Sequence, residues 1–351
     1  MKRISLLALA TLITAAFPAA GQVRLNGAGA TFPNLIYQDW IITYNKQSKD
    51  VELNYQSIGS GGGIRQFSDH TVDFGASDAP MTDSAIAAIQ GNVLHIPTVL
   101  GAVVPAYTLP GVTTPLKFSP AILADIFLGK LTKWNDPRIA SVNAGVTLPA
   151  TDIIVVHRSD GSGTSFIWTD YLSKVSPEWL SKVGRGASLN WPVGLGAKGN
   201  EGVAATVRQT PGAIGYVELG YAILNQMTFG DVQNKSGTFI RPSIDATTAA
   251  AAGAMKTMAP TTDFRVSITD PDGPKAYPIA SFTWLLVAKE YPDAAKAREL
   301  VKFIWWSLTE GQAQAPKLGY APLPKELLPW IEARLKMVSA AGKPVWSGHG
   351  K

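Results

Sequence analysis

The stretch IIVVHRSDGSGTSF, residues 153–166, decides the fold. Its run of apolar, β-branched residues predicts a buried strand, its small polar residues predict a turn, and the apolar spacing from residue 164 onward predicts a helix. The first N–H groups of a helix have no partner within the helix, and the helix dipole adds partial positive charge there. Ser162 and Thr164 add hydroxyl donors, and Arg158 adds a cation. The stretch predicts either an oxyanion-binding loop or an ordinary N-capped helix.

Two further stretches repeat this order of strand, small-residue loop and helix. GAGATFP at residues 27–33 places Thr31 and Phe32 at a helix start, and SIGSGGG at residues 57–63 places Ser60 at another. Glycine is common in turns because turns need positive φ, so one such loop has no necessary function. Three loops that each have a hydroxyl beside a helix start predict a shared oxyanion site.

The composition and the first residues bound the class of protein. A chain of 351 residues is long enough for two domains, and 46% hydrophobic with 16% charged residues excludes a disordered chain. The absence of cysteine excludes a disulfide scaffold, thiol chemistry and a lipid anchor on an N-terminal cysteine. Residues 1–21 predict a cleaved secretory signal, with a membrane anchor as the alternative. Loss of Lys2 and Arg3 lowers the net charge by two, from +5 to +3, and the scattered basic residues predict no nucleic-acid partner.

The alternation of strands and helices predicts an α/β architecture. We expect a signal at 1–21, then one lobe from residues 22–100 and 279–351 and a second lobe from residues 101–278. The loops with Thr31, Ser60 and Asp78 then lie on the first lobe, and the loop of residues 158–164 lies on the second. A closing helix is expected at residues 323–338. This arrangement predicts a site in the cleft between two hinged lobes.

Segments spread in order over nearly the whole mature chain resemble the periplasmic phosphate-binding proteins of Pst-type ABC importers. They are residues 27–33, 58–63, 73–80, 125–130 with 133–134, 158–166, 191–200 and 211–218. The resemblance implies a two-lobed, type II periplasmic binding protein with a hinge and an inter-lobe cleft. His157 before the arginine, and Gly61 where serine is common, depart from the family's pattern and concern affinity rather than function.

The resemblance also implies the residues that hold inorganic phosphate. These are Thr31, Phe32, Ser60, Asp78, Arg158, Ser162, Gly163 and Thr164. Asp160 is implied to pair with Arg158, and neither a cofactor nor a metal is implied. The implied location is the periplasm, and the implied partners are ABC permease subunits and their ATPase in the inner membrane.

Asp78 follows a predicted strand and adds a carboxylate to the expected site. A carboxylate beside an anion is repulsive unless the anion has a proton to donate. Inorganic phosphate retains one near neutral pH, because the second of its three protons is lost at a pKa of about 6 and the third remains, whereas sulfate has none. Asp78 is therefore either an ordinary turn aspartate or the residue that accepts this proton and excludes sulfate.

A secreted, phosphatase-like hydrolase is the alternative from another class. Neither Ser60 nor Ser162 lies in a G-x-S-x-G motif, the chain has no H-E-x-x-H motif, and no cluster of carboxylates and histidines suits two metals. His157 is either a proton carrier or an ordinary strand residue. We therefore expect that the protein is not an enzyme. A binder of sulfate, molybdate or a phosphonate is the second alternative, and Asp78 argues against the first two ions.

Overall fold

The computed structural model describes residues 22–256 and 258–348, so the predicted secretory signal lies outside the described residues. The strands are β1 (Val23–Gly29), β2 (Val51–Ser57), β3 (Phe74–Ser77), β4 (Leu94–Tyr107), β5 (Lys117–Phe118), β6 (Ile154–Arg158), β7 (Leu195–Ala197), β8 (Ala213–Glu218), β9 (Thr228–Phe229), β10 (Asp231–Gln233), β11 (Phe239–Ile240), β12 (Ala280–Val287), β13 (Glu290–Tyr291), β14 (Ser339–Ala340) and β15 (Lys343–Pro344). The α/β architecture is therefore as predicted.

Helices lie between most of the strands along the chain. They are α1 (Asn34–Gln47), α2 (Ser60–Ser68), α3 (Asp83–Ala88), α4 (Pro120–Phe127), α5 (Pro137–Val142), α6 (Gly163–Val175), α7 (Pro177–Lys182), α8 (Gly199–Gln209), α9 (Leu219–Leu224), α10 (Ile244–Met255), α11 (Ala294–Leu308) and α12 (Leu328–Leu335). Among the described residues, no helix combines the length and the apolar character that a bilayer crossing requires.

The long strand β4 joins the two halves of the main sheet. All of its 14 residues are buried. Its residues 94–102 pair antiparallel with β12, and its residues 103–107 pair antiparallel with β8. The strand order in the described chain is β2-β1-β3-β12-β4-β8-β6-β7, with β9 also on β4. The first half-sheet consists of β2, β1, β3 and β12 with residues 94–102 of β4. The second half-sheet consists of β8, β6, β7 and β9 with residues 103–107 of β4.

The parallel strands of each half-sheet direct their carboxyl ends towards this junction. In the first half-sheet β1 runs parallel to β2 and β3, and in the second half-sheet β6 runs parallel to β7 and β8. Ligands of open α/β sheets bind beyond the carboxyl ends of such strands. The loops that contain the predicted site residues follow β1, β2, β3 and β6, so the topology places them at that edge.

The segment that precedes β12 contacts both sides of the molecule. Arg265 Nη1 donates to the Met81 carbonyl oxygen at 2.9 Å, on the side of the first half-sheet. Two residues later, the Ser267 hydroxyl donates to buried Asp170 at 2.6 Å, and the Thr269 hydroxyl donates to the same carboxylate at 2.5 Å. Because Asp170 lies on α6, this segment links the two sides in addition to β4.

The expected closing helix at residues 323–338 is wrong in its extent. A short 3-10 helix, Lys325–Leu327, precedes α12, which ends at Leu335, and β14 follows. Proline lacks an N–H group and is tolerated only near a helix start. Pro324 and Pro329 therefore shift the start of the α-helix towards the C-terminus, and the apolar spacing alone did not reveal this.

Candidate oxyanion-binding site

The loops after β1, β2, β3 and β6 meet where the two half-sheets join. The Gly61 N–H group donates across the junction to the Gly161 carbonyl oxygen at 2.8 Å. Asn200, at the start of α8, donates through Nδ2 to Thr31 Oγ1 at 2.7 Å and to Thr164 Oγ1 at 3.0 Å. Loops that are more than 100 positions apart in sequence therefore converge on one buried place.

Every predicted ligand residue is buried there. The fraction of each residue exposed is 3% for Thr31, 0% for Phe32, 0% for Ser60, 1% for Asp78, 3% for Arg158, 0% for Ser162 and 0% for Thr164, and Gly163 is also buried. Buried polar groups need hydrogen-bond partners, since an unpaired one costs about 1–3 kcal/mol. A set of buried donors facing one junction is the chemistry of a dry oxyanion site.

The first half-sheet contributes a carboxylate held by hydroxyl groups. The Asp78 N–H group donates to Ser60 Oγ at 3.1 Å, and Ser60 Oγ lies 3.4 Å from Asp78 Oδ2. The Thr283 hydroxyl donates to Asp78 Oδ1 at 2.8 Å. Burial raises the pKa of Asp78 to about 7, although the bond from Thr283 and the charge of Arg158 act against the rise. The Asp78 carboxyl thus changes its charge near neutral pH.

The second half-sheet contributes a cation whose direction is fixed. Arg158 donates to Asp160 from Nε at 2.7 Å and from Nη2 at 2.5 Å, and Arg158 Nη1 lies 3.3 Å from Thr164 Oγ1. This is the ion pair that the resemblance implied. Burial opposes ionisation of Asp160, but the bonds from Arg158 outweigh it and hold the pKa of Asp160 below its ordinary value. The planar guanidinium keeps Nη1 free of the carboxylate and aimed at the junction.

The start of α6 faces the carboxylate across the junction. Ser162 is the N-cap residue, and its Oγ accepts the Ser165 N–H at 3.0 Å. The helix is therefore capped, and its start also lies in the site. A Cβ atom at Gly163 would overlap with Asp78 Oδ2 and Ser60 Oγ. Only glycine lets the helix start approach this closely.

Sequence reasoning missed the residues that connect the loops. Asn200 bridges Thr31 and Thr164, and Thr283 contacts Asp78. Thr283 is one of two hydroxyl residues in the otherwise apolar strand β12, and this was the available signal for it. Asn200 directly follows a glycine-rich segment, and nothing in its local sequence indicates an amide that joins two loops.

His157 lies outside this junction and has a packing role. Its ring stacks on Trp191 with centroids 4.9 Å apart and an interplanar angle of 10°, and its Nδ1 lies 3.0 Å from the Arg158 carbonyl oxygen. Burial lowers the pKa of His157. The ring is therefore held as a neutral strand residue, which is the second of the two interpretations that the sequence left open.

Comparison with known proteins agrees with this architecture. A family model described as a PBP superfamily domain matches residues 15–310. The phosphate-binding protein PstS of Pasteurella multocida is 47% identical, with 92% of this chain and 93% of that protein aligned, and that of Xylella fastidiosa is 46% identical, with 89% and 84% aligned. The crystal structure of a phosphate-binding protein from Stenotrophomonas maltophilia has the same two-lobed fold, with a TM-score of 0.68 and 20% identity over 92% of this chain and 97% of that one. The chain therefore belongs to the PBP superfamily and, within it, to the family of the phosphate-binding proteins PstS.

Proposed function

We propose that the chain binds inorganic phosphate at the junction of its half-sheets, as the solute-binding component of an ABC importer. The proposed ligand residues are Thr31, Phe32, Ser60, Asp78, Arg158, Ser162, Gly163 and Thr164. The single observation that supports this most directly is one buried carboxylate, Asp78, among neutral hydroxyl donors and one cation. The relatives named as phosphate-binding proteins support the same ligand.

The donors suit a dehydrated tetrahedral anion. The hydroxyl groups of Thr31, Ser60 and Thr164 come from three different loops, so they can approach the anion from different directions. N–H groups at the starts of α1 and α6 add donors and the positive end of the helix dipole. Arg158 adds a charge-assisted bond. Neutral donors replace the lost hydration without the repulsion that a cluster of lysines would create.

Asp78 gives the site its choice between anions. A monohydrogen phosphate donates its proton to the carboxylate, whereas sulfate meets it as a second negative charge with no proton between them. A site built around one hydrogen bond rejects an analogue that lacks it by roughly 10⁴–10⁵-fold. Arsenate has the same shape and proton count, so this device does not exclude it.

Closure of two lobes over the phosphate completes the proposal. We retain residues 22–100 with 279–351 as one lobe and 101–278 as the other; in support, β4 exchanges β12 for β8 between Ala102 and Val103. Residues 261–265 belong in sequence to the end of the second lobe, but they form hydrogen bonds with residues of the first lobe. We further propose cleavage of residues 1–21, a periplasmic location, and delivery of phosphate to permease subunits driven by a separate ATPase.

Calorimetry of the chain from residue 22 onward, with phosphate, sulfate and arsenate, tests this function. At pH 8.5, where Asp78 is ionised, we expect saturable binding of phosphate and arsenate and none of sulfate at matched concentration. Asp78→Asn should narrow the preference for phosphate over sulfate by at least ~10²-fold, because the variant removes the negative charge that repels sulfate. The exposed Asp272→Asn is the control. Absence of phosphate binding, or an unchanged preference in Asp78→Asn, would contradict the proposal, as would turnover of an aryl phosphate.

A further inference from the structure

Thr283 lies beside Asp78 because β12 pairs antiparallel with β3, with Trp284 opposite Ser77, and the pairing of β12 with β4 is irregular at the same position. β12 pairs with β4 in register from Ala280 opposite Ala102 to Thr283 opposite Val99, and the next pair is Trp284 opposite Pro97. One residue of β12 therefore corresponds to two of β4, which is a β-bulge. The additional residue lies on β4, and bulges are common beside functional sites.

The Thr283 hydroxyl has one carboxylate oxygen as its acceptor. Thr283 is 0% exposed and Asp78 is 1% exposed, so water does not compete for this bond. The distance from Thr283 Oγ1 to Asp78 Oδ1 is 2.8 Å. Oδ2, the other oxygen, lies beside Ser60 Oγ and faces Gly163 at the start of α6. The bond from Thr283 therefore occupies Oδ1 and directs Oδ2 at the opposite side of the junction.

The backbone carbonyl group of Thr283 accepts a hydrogen bond from the additional residue of β4. The Thr98 hydroxyl donates to the Thr283 carbonyl oxygen at 3.3 Å, and Thr98 Oγ1 lies 2.7 Å from Tyr37 Oη. Thr98 is the additional residue of β4 and is completely buried. These bonds restrict rotation of the peptide, so the hydroxyl of Thr283 stays directed at the carboxylate.

We propose that Thr283 determines anion specificity as a positioning residue, because its hydroxyl stabilises the ionised form of Asp78 and leaves Oδ2 to accept a proton from the bound anion. This inference rests on the proposed phosphate-binding function. A hydroxyl that donates to a carboxylate forms a charge-assisted bond, which is stronger than the bond to the neutral acid. Loss of the donor therefore favours protonation of Asp78, and a protonated Asp78 donates to sulfate instead of repelling it.

The other titratable groups around Asp78 leave this role to Thr283. Arg158 on β6 is the cation that faces it, and Glu218 at the end of β8, Tyr37 on α1, Tyr55 on β2 and Tyr320 after α11 complete the set. Burial raises the pKa of Glu218 and of each tyrosine, which favours their neutral forms near neutral pH. Among the contacts that lower the pKa of Asp78, the bond from Thr283 acts most strongly.

The test compares Thr283→Val, which keeps the shape and removes the donor, with Thr283→Ser, which keeps the donor. Thr247→Val, a buried threonine on α10 that bonds only within its helix, is the matched control. Phosphate and sulfate are titrated by calorimetry between pH 5.5 and 8.5, and ¹³C NMR follows the Asp78 carboxyl in the ligand-free protein. In Thr283→Val, the pH at which sulfate binding disappears and the pKa of Asp78 should both rise by about one unit. Thr283→Ser should stay near the parent protein, and Thr247→Val should not differ from it.

The outcomes separate this inference from the function on which it rests. If the parent protein binds no phosphate, the proposed function fails. The NMR titration then still tests whether the Thr283 hydroxyl lowers the pKa of Asp78. If the parent binds phosphate and Thr283→Val shows unchanged pH midpoints, the inference is wrong and the function stands. Thr283→Ala, which also removes the hydroxyl, provides the same two measurements if Thr283→Val does not fold.

Discussion

At the scale of single residues, Asp78 couples anion selection to the stability of the fold. Its pKa rises from the ordinary value of 3.8 to about 7 because the carboxyl is buried. An acid with a higher pKa in the folded chain than in the unfolded chain binds its proton more tightly when folded, so the unfolded state loses protons first as the pH rises. The ligand-free protein therefore loses stability between about pH 4 and pH 7, and the full loss is present above pH 7.

Asp78→Asn removes this ionisation and should stabilise the ligand-free protein at alkaline pH. We expect the free energy of unfolding at pH 8 to rise by roughly 2–4 kcal/mol, at ~1.4 kcal/mol per unit of pKa shift, and to rise by clearly less at pH 5. Urea unfolding at both pH values measures the difference. Asp272→Asn, whose side chain is 93% exposed, should change neither value. A gain that is equal at pH 5 and pH 8 would show that the ionisation of Asp78 is not its source.

At the scale of elements, β4 lets helices from one side contact loops of the other. Because β8 pairs with the second part of β4, the helix that follows it, α9, lies near the loop after β1. Tyr221 Oη on α9 lies 2.6 Å from the Thr31 carbonyl oxygen and 3.0 Å from Glu201 Oε1. Burial keeps the pKa of Tyr221 well above its ordinary value, so its hydroxyl retains its proton and donates. The contact joins the Thr31 loop of the first side to α9 of the second.

Tyr221→Phe should therefore weaken phosphate binding more than it weakens the fold. One such hydrogen bond contributes about 0.5–1.5 kcal/mol, which corresponds to a loss of roughly 2–10-fold in affinity. Tyr291→Phe is the control, because Tyr291 Oη donates to the Asp73 carbonyl oxygen at 2.8 Å on one side of the molecule. We expect calorimetry to show weaker binding only in Tyr221→Phe and thermal unfolding to show a larger loss in Tyr291→Phe. The reverse pattern would mean that Tyr221 supports one lobe alone.

At the scale of the whole molecule, function depends on the close approach of two sides that β4 and the segment before β12 connect. That segment contacts the first side through Arg265 and the second side through Ser267. Bonds across the junction, such as that from Gly61 to Gly161, hold the two sides together. Phosphate that contacts both sides favours closure by the difference between its affinities for the closed and open forms.

Gly163→Ala should prevent complete closure while each lobe remains folded. Gly163 does not have positive φ, so alanine suits its backbone, but the new methyl group overlaps with Asp78 and Ser60 of the opposite side. Overpacking of this kind costs about 1–3 kcal/mol, or roughly 10–100-fold in affinity. Small-angle scattering should show that phosphate reduces the radius of gyration of the parent protein but not that of Gly163→Ala. Gly202→Ala on α8, where a Cβ atom makes only ordinary contacts, should behave like the parent.

Local patterns predicted most of the elements that hold the site. The strand, turn and helix of residues 153–166 correspond to β6, the loop with Asp160, and α6. The loop with Thr31 likewise precedes α1, and Ser60 is the first residue of α2. These signals are reliable because β-branched runs, glycine turns and N-cap residues act through neighbours in sequence. The predicted extent of the closing helix was wrong because Pro324 and Pro329 prevent an α-helix from starting where the apolar spacing begins.

The sequence by itself determined the chemical groups and the elements that present them: hydroxyl groups at helix starts, one arginine at a strand end, and one carboxylate in a turn. The tertiary structure alone decided which further groups complete the site. Thr283 and Asp78 are 205 positions apart, and they meet because β12 pairs antiparallel with β3, with Trp284 opposite Ser77, so that Thr283 comes next to Asp78. Such a contact depends on the pairing of distant strands, and no pattern of neighbouring residues specifies that pairing.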